Sequence, residues 1–199
     1  MREETKRKLQ QISEKYTGYI STKELLREGV TNRQILAFTQ EGMLERVSCG
    51  HYWLSCGLRK KPEEYKALEV SLADPEAIIC ADSAFFYWGL TDREPERLSV
   101  MTRRGDRRKL KMNFPVNRHY CPEELFLDDV VQMTTEYGTY RLYSKERSFC
   151  DCIRFRDSLK KEDFDVIVEN YSEQRDRQIE RIMEYAKKMR ISKRIKEYL

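Results

Sequence analysis

The sequence predicts an α+β fold, with an N-terminal winged helix-turn-helix followed by a larger α+β domain that ends in a helical bundle. Two short helical segments each begin with a hydroxyl residue that is followed three positions later by Glu or Gln, and each stops at a glycine. A hairpin pattern centred on Cys49-Gly50 follows the second segment. Beyond residue 62 strand-like segments come first, and from Ser144 onward the pattern is helical, as in an α+β domain.

Composition limits the classes of protein that the chain can belong to. Its 199 residues are 40% hydrophobic and 36% charged, which suits a small domain and a medium one with charged surfaces. No apolar run reaches the roughly 20 residues of a membrane-spanning helix. Met1–Glu4 opens a charged helix rather than a signal peptide, so a cytoplasmic protein is expected. Six cysteines without a C-x-x-C motif, and only two histidines, indicate no metal site, and no cofactor is expected.

The N-terminal segment has the order helix, helix, helix, hairpin. A first helix is expected over Arg2–Tyr16, a second from Ser21 to Gly29, and a third from Thr31 to Gly42. The apolar spacing predicts a small core, composed of Leu9, Ile12, Leu25, Leu26, Ile35, Phe38, Leu44 and Tyr52. This order of elements is that of a winged helix, whose third helix can lie in a major groove while the hairpin reaches the adjacent backbone or minor groove.

Charge and exposed polar residues favour DNA as the ligand of this segment. Residues 1–61 hold 12 Lys and Arg against 7 Asp and Glu, a net charge of +5 that suits a polyanion. The side chains expected to contact DNA are Thr31, Asn32, Arg33, Gln34 and Gln40 of the third helix and Arg46 and His51 of the hairpin. The alternative is a winged helix that serves as an adaptor and contacts protein without binding DNA.

A polar connection over residues 58–62 marks the predicted boundary, with the winged helix at 1–61 and the α+β domain at 62–199. The charge changes there, because residues 62–174 carry a net charge of −6 and residues 175–199 a net charge of +5. Helices are predicted over residues 63–72, 82–88, 145–156, 162–171, 175–188 and 191–198. Strands or extended segments are predicted over 77–80, 98–102, 112–120, 129–135 and 140–143.

A loop rich in arginine lies inside the second domain. Its cations are Arg103, Arg104, Arg107, Arg108 and Lys109. They form either a second surface for an anionic partner or a solvated charged loop, and the sequence favours neither.

Few residues suggest catalysis. Asp82-Ser83 and Asp151 are candidates for a nucleophile or a catalytic carboxylate, but neither has a histidine at a recognisable spacing, and no glycine-rich phosphate loop is present. Helix capping by Asp82 and a buried, hydrogen-bonded Asp151 are the simpler interpretations. The chain is therefore expected not to be an enzyme.

The segment GYISTKELLREGVTNRQILAFTQEGMLERVSCGHYWL resembles the N-terminal domain of AbiEi-type antitoxins, from bacterial type IV abortive-infection toxin–antitoxin pairs. The matching positions are Gly29, Gly42-Met43-Leu44, Arg46-Val47, Gly50 and Tyr52. AIICADSAFFYWGL and KERSFCDCIRF are similar to later segments of that family, so the resemblance covers most of the chain. Residues 175–199 match only in helical character.

The resemblance implies a DNA-binding antitoxin that represses its own operon at inverted repeats of operator DNA. It also implies that the second domain counters a nucleotidyltransferase-like toxin, without a stable complex between the two proteins. The sequence departs from the family at Cys49, where an arginine or lysine often precedes the turn glycine. This departure leaves more of the expected phosphate contact to Arg46.

Overall fold

A computed structural model describes residues 2–57 and 59–199, with side chains from residue 7 onward. The chain is mixed α+β, as predicted, and divides into two compact units. The first comprises the chain up to Pro75 with Lys109–Asn113 and Thr134–Thr139, and the second comprises Glu76–Arg108, Phe114–Met133 and Tyr140–Leu199. The predicted boundary between residues 61 and 62 falls inside the first unit, and Leu58 of the predicted connection lies outside the described residues.

The first unit is built on a small antiparallel sheet. Its elements are α1 (Arg2–Lys15), β1 (Tyr19–Ser21), α2 (Thr22–Arg27), α3 (Asn32–Gln40), β2 (Leu44–Ser48), β3 (His51–Leu54) and α4 (Tyr65–Ala73). The strand order is β1-β3-β2, with Tyr19 opposite Trp53 and Leu44 opposite Leu54. Strand β1 was not predicted, because only three residues of it pair.

Both predicted capping boxes are present. The hydroxyl of Ser21 accepts a hydrogen bond from the backbone N–H of Glu24, whose carboxylate accepts one from the N–H of Ser21 at 2.8 Å. Thr31 and Gln34 repeat this exchange at the start of α3, at 3.3 and 2.8 Å. Each box satisfies two N–H groups that a helix N-terminus leaves without an intrahelical partner.

The predicted core of the first unit is confirmed at most positions. The buried cluster consists of Leu9, Ile12, Ile20, Leu25, Val30, Ile35, Phe38, Leu44 and Leu54. The prediction is wrong for Leu26, which is 46% exposed, because neighbouring residues of a helix lie about 100° apart and α2 turns only Leu25 inward. Tyr52 is half-buried and packs against the edge of the cluster.

The opposite face of the sheet is also covered. Trp53 is buried there, with its ring centroid 4.8 Å from that of Tyr19 and 6.4 Å from that of Tyr137. Glu69 of α4 is fully buried, accepts a hydrogen bond from the Tyr19 hydroxyl at 3.2 Å and pairs with Lys61 at 2.7 Å. Helix α4 and the segment Thr134–Thr139 therefore belong to the same unit as the sheet.

The second unit combines a mixed sheet with later helices, as predicted. Its strands are β4 (Ile78–Ile79), β5 (Leu98–Arg103), β6 (Val116–Cys121), β7 (Val130–Thr135) and β8 (Gly138–Tyr143), in the order β6-β5-β4-β8-β7. Its helices are α5 (Ala81–Tyr87), α6 (Glu123–Phe126), α7 (Lys145–Arg154), α8 (Lys161–Glu173), α9 (Ile179–Lys188) and α10 (Ser192–Ile195), with a 3-10 turn over Arg156–Ser158. The turn between β7 and β8 falls in the first unit.

Most of the other predicted helices begin within two residues of their predictions, such as α4 at Tyr65, and two differences have a structural meaning. Helix α5 begins after Cys80, and Asp82 lies in its first turn instead of capping it. Helix α9 begins at Ile179, four residues later than predicted. None of the described helices is long and apolar enough to cross a membrane.

Candidate nucleic-acid interface

One face of α3 packs in the core, and the opposite face is exposed to solvent. Ile35 and Phe38 are buried, whereas Asn32, Arg33 and Gln40 are exposed. Arg33 and Gln40 are seven residues apart, so they lie two turns apart on the outer face. A guanidinium and two carboxamides on this face can make the bidentate hydrogen bonds that distinguish base edges.

Thr31 and Gln34, two of the predicted contact residues, already have structural partners. The Thr31 hydroxyl accepts from the N–H of Gln34, and the Gln34 side-chain oxygen accepts from both the N–H and the hydroxyl of Thr31, at 2.8 and 3.0 Å. Gln34 therefore has its amide nitrogen left to donate to a ligand. Thr31 acts here as a helix cap.

Leu36 was missed by the sequence reasoning. It is 60% exposed on the same outer face, one turn from Arg33 and one turn from Gln40. An apolar side chain at this point can contact a thymine methyl group in a major groove, or a protein surface. Its i+3 spacing from Arg33 was the signal that could have identified it.

The hairpin of β2 and β3 is fixed rather than free. The hydroxyl and N–H of Thr22 both donate to the carbonyl oxygen of Gly50, at 3.3 and 2.8 Å, so the turn is tied to the start of α2. His51 is half-buried, and its Nδ1 lies 3.1 Å from the Ser48 hydroxyl. Fixed hairpin residues lose little conformational freedom when they meet a ligand.

Arg46 is exposed beside a register shift in β2. It pairs with Tyr52, but Ser48 pairs with His51, so Val47 is the extra residue of a β-bulge. The Nε of Arg46 donates to the carbonyl oxygen of Ser48 at 3.3 Å. The two other nitrogens of the guanidinium are left able to contact a phosphate.

The segment Lys109–Asn113 adds cations that the sequence assigned to another domain. It belongs to the first unit, and the Asn113 side-chain amide donates to the carbonyl oxygen of Arg46 at 2.9 Å. Lys109 and Lys111 of this segment are exposed. No local pattern places a segment from the middle of the chain beside the hairpin, so sequence reasoning could not find this contribution.

The basic loop of residues 103–109 is only partly available to an anion. Arg103 pairs with Glu76 at 3.4 Å and with Glu123, and its guanidinium stacks on the Phe126 ring at 4.3 Å. Arg108 binds the Asp106 carboxylate through Nε at 3.1 Å and Nη2 at 2.9 Å. The loop cations that remain exposed, with no carboxylate partner among the described contacts, are Arg104, Arg107 and Lys109.

The candidate catalytic residues are engaged inside the second unit. Ser83 is fully buried, and its hydroxyl accepts the N–H of Ser99 at 2.8 Å. Asp151 is fully buried against Arg147, at 3.4 Å, and burial raises the pKa of its carboxyl. Within the described residues, no three His, Cys, Asp or Glu side chains are grouped as metal ligands.

No protein-family model and no curated protein sequence matches the chain. Among solved structures, it resembles the crystal structure of the RV2827C protein from Mycobacterium tuberculosis, with a TM-score of 0.66 and 14% sequence identity. The match covers 85% of this chain and 66% of that chain. A likeness at this level of identity shows a common fold, and the fold alone does not fix the function.

Proposed function

We propose that the first unit is a winged helix-turn-helix that binds double-stranded DNA, with α3 in the major groove. One observation carries the proposal: Asn32, Arg33 and Gln40 project from a helix whose opposite side is anchored by Ile35 and Phe38. The fold does not need polar groups at these exposed positions, whereas recognition of base edges needs side chains of this kind. Capping boxes at the start of both α2 and α3 hold α3, the helix that carries these side chains, in a fixed conformation.

The contacts divide into two kinds. Arg33 is a candidate for base readout, because it lies in the first turn of α3, where the recognition helix of such folds meets base edges. Arg46, Lys109 and Lys111 are candidates for phosphate contacts, because Arg46 lies on the hairpin and the segment Lys109–Asn113 contacts Arg46 through Asn113. Phosphate contacts position the protein, and base contacts specify the sequence.

A gel-shift salt series tests this proposal, with the DNA upstream of the protein's own reading frame and a scrambled duplex as probes. Arg33→Ala should weaken binding to the specific duplex by about 1–3 kcal/mol and have little effect on the scrambled duplex. Arg46→Ala should weaken binding to both and reduce the salt slope by about one unit.

Arg7→Ala is the matched control, because Arg7 is an exposed cation on α1 and has no place in the proposed interface. Binding should be unchanged in this variant. If the wild-type protein shifted no duplex at low salt, the DNA-binding proposal would be wrong.

We further propose that the chain is an autorepressor and the antitoxin of a type IV toxin–antitoxin pair. The ordered motifs that resemble the AbiEi family support this role, and the charge difference between the predicted domains supports separate tasks. The DNA-binding face would repress the operon, and the second unit would counter a nucleotidyltransferase-like toxin without forming a stable complex with it.

The two tasks can be tested separately. A variant with both Arg33→Ala and Arg46→Ala should lose repression of a promoter reporter and still restore growth to cells that express the cognate toxin. Circular dichroism checks that the variant is folded. Loss of growth rescue by the folded double variant would mean that the antitoxin effect depends on DNA binding, which contradicts the division of tasks.

A second candidate function is that of a protein-binding adaptor. The observation in its favour is the exposure of Leu36 and Leu26, at 60% and 46%, on the two helices that would face a ligand. Leu36→Ser separates the two functions. It should lower DNA affinity if Leu36 meets a thymine methyl group, and it should leave DNA affinity unchanged if Leu36 serves only a protein partner.

A further inference from the structure

The second unit contains a cavity of about 450 Å³ whose lining is rich in cations. Arg104 follows β5, Arg154 ends α7, and Lys188 and Arg190 come from the end of α9. The cavity has the size of a small-molecule site, since such sites typically occupy roughly 300–1,000 Å³. It lies outside the proposed DNA-binding unit, so its role is independent of that proposal.

These cations differ in how far the fold neutralises them. Lys188 is held by Asp128 at 2.9 Å and by Glu184 at 2.8 Å. Arg104 and Arg190 are exposed and have no carboxylate partner among the described contacts. The Nη1 atom of Arg154 is buried and has no hydrogen-bond acceptor. A buried donor without an acceptor is costly, and a rotation of this guanidinium toward the cavity, where an anion could accept from it, would relieve the cost.

The backbone at Arg190 is a second, separate observation. Its φ is +61°, in the left-handed region, where α9 ends and the N–H of Ile191 donates to the carbonyl oxygen of Ala186 at 2.8 Å. Glycine is the usual residue at this position of a helix C-terminus. An arginine there costs stability, and it places a guanidinium at the wall of the cavity.

The rest of the lining is mixed. Pro122, Leu125 and the largely buried Met189 supply apolar surface, and Glu124 supplies the cavity's carboxylate. Apolar surface can cover the base of a nucleotide, and a carboxylate can accept hydrogen bonds from ribose hydroxyls or from an amino group of the base. Three guanidinium groups from separate elements exceed what one phosphate needs, and they suit a chain of phosphates.

The geometry points to a binding site for a nucleoside polyphosphate in this cavity. The phosphates lie against Arg104, Arg154 and Arg190, and the nucleoside lies toward Leu125 and Met189. The inferred role of the site is binding alone, and no bond is made or broken in it.

Titration calorimetry on the full-length chain tests the site with ATP, GTP, inorganic triphosphate and a single-stranded oligonucleotide. Arg104→Ala and Arg190→Gly should each weaken binding of the nucleoside triphosphate by at least roughly tenfold. Arg97→Ala is the matched control, because Arg97 is an exposed arginine of the same unit that does not line the cavity. This variant should bind the nucleoside triphosphate as tightly as the wild type.

Arg190→Gly also separates binding from folding. Glycine suits a φ of +61°, so this variant should melt at the same temperature as the wild type or at a higher one while it loses affinity. Several outcomes would overturn the proposal: no heat of binding with any triphosphate, an equal loss of affinity in Arg97→Ala, or tighter binding of the oligonucleotide than of the nucleotides. Equal affinity for inorganic triphosphate and for ATP would overturn the assignment of a nucleoside.

Discussion

At Gly18 the backbone has a φ of +100°, and a Cβ placed there would lie within 3.0 Å of three atoms of the Trp53 indole. Gly18→Ala is therefore destabilising for two reasons. An alanine is strained in a left-handed backbone conformation, and its Cβ would clash with the Trp53 indole unless the indole moved. We expect a loss of about 2–5 kcal/mol in the free energy of unfolding.

Gly42→Ala is the control for this prediction. Gly42 has a φ of +72° but no heavy atom within 4 Å of the Cβ position, so only the backbone cost applies, about 1–2 kcal/mol. Urea unfolding of both variants gives the two values. Equal losses would show that the contact with Trp53 has no part in the effect.

His119 gives the second unit a dependence on pH. It is buried and stacks on Phe155, with ring centroids 4.0 Å apart. Burial, and secondarily the charge of Arg154, lower its pKa from 6.5 to about 4. Because the pKa is depressed in the fold, the stability that the neutral ring contributes is complete above pH 6.5 and is lost as the pH falls toward 4.

From pH 7 to pH 5 this effect should cost about 2 kcal/mol in the free energy of unfolding. His119→Phe keeps an aromatic ring against Phe155 and removes the titrating group, so its loss over the same interval should be smaller by that amount. His51 stays in both proteins, and its contribution cancels in the difference. Identical pH profiles for the two proteins would contradict the prediction.

Sequence patterns identify which residues are apolar more reliably than which of them are covered. Leu25 and Leu26 both fit an inward stripe, but a helix as short as α2 buries only Leu25. Arg103 reads as a free cation in the sequence, yet Glu76 and Glu123 from distant positions neutralise it. Such partners come from the tertiary fold, which local periodicity does not specify.

At the scale of elements, local chemistry predicts most boundaries in the first unit. Hydroxyl caps at Ser21 and Thr31 are read directly from the sequence, because a capping box needs only residues three positions apart. Strand β1 and helix α6 were missed, since three and four residues carry no periodicity. Both depend on what packs beside them.

The cap at Thr31 should be measurable on its own. Thr31→Ala removes the acceptor for the Gln34 N–H and should lower the free energy of unfolding by about 0.5–2 kcal/mol. Thr31→Ser keeps the hydroxyl and should stay close to the wild type in urea unfolding. If the serine variant were as unstable as the alanine variant, the methyl group of Thr31, and not its hydroxyl, would be the stabilising part.

At the scale of the whole molecule, the candidate DNA-binding face was predictable from α3 and the hairpin, and the extent of its unit was not. The sequence suggests an end near residue 61, but α4 and two later segments belong to the same compact unit. Long-range pairs such as Tyr19 with Glu69, at 3.2 Å, hold this larger unit together. Because the two residues of such a pair are far apart along the chain, short-period sequence patterns do not predict the contact.

The extent of the first unit can be measured with two fragments, residues 1–61 and 1–75. In the shorter one Tyr19 and Lys61 lose Glu69, and β2 loses its contacts with α4, so the sheet face that carries Tyr19 and Trp53 is more exposed. We expect fragment 1–75 to be more stable by about 2–4 kcal/mol, the scale of burying one or two large side chains. Trp53 is the only tryptophan in either fragment, and Tyr137, which contacts it in the full chain, is absent from both, so a difference in emission between the fragments reports on residues 62–75. Emission should lie at longer wavelength in 1–61 than in 1–75, and urea unfolding followed at that emission should order their stabilities. Equal emission and equal stability would show that residues 62–75 add nothing to the stability of the sheet, which would contradict the prediction.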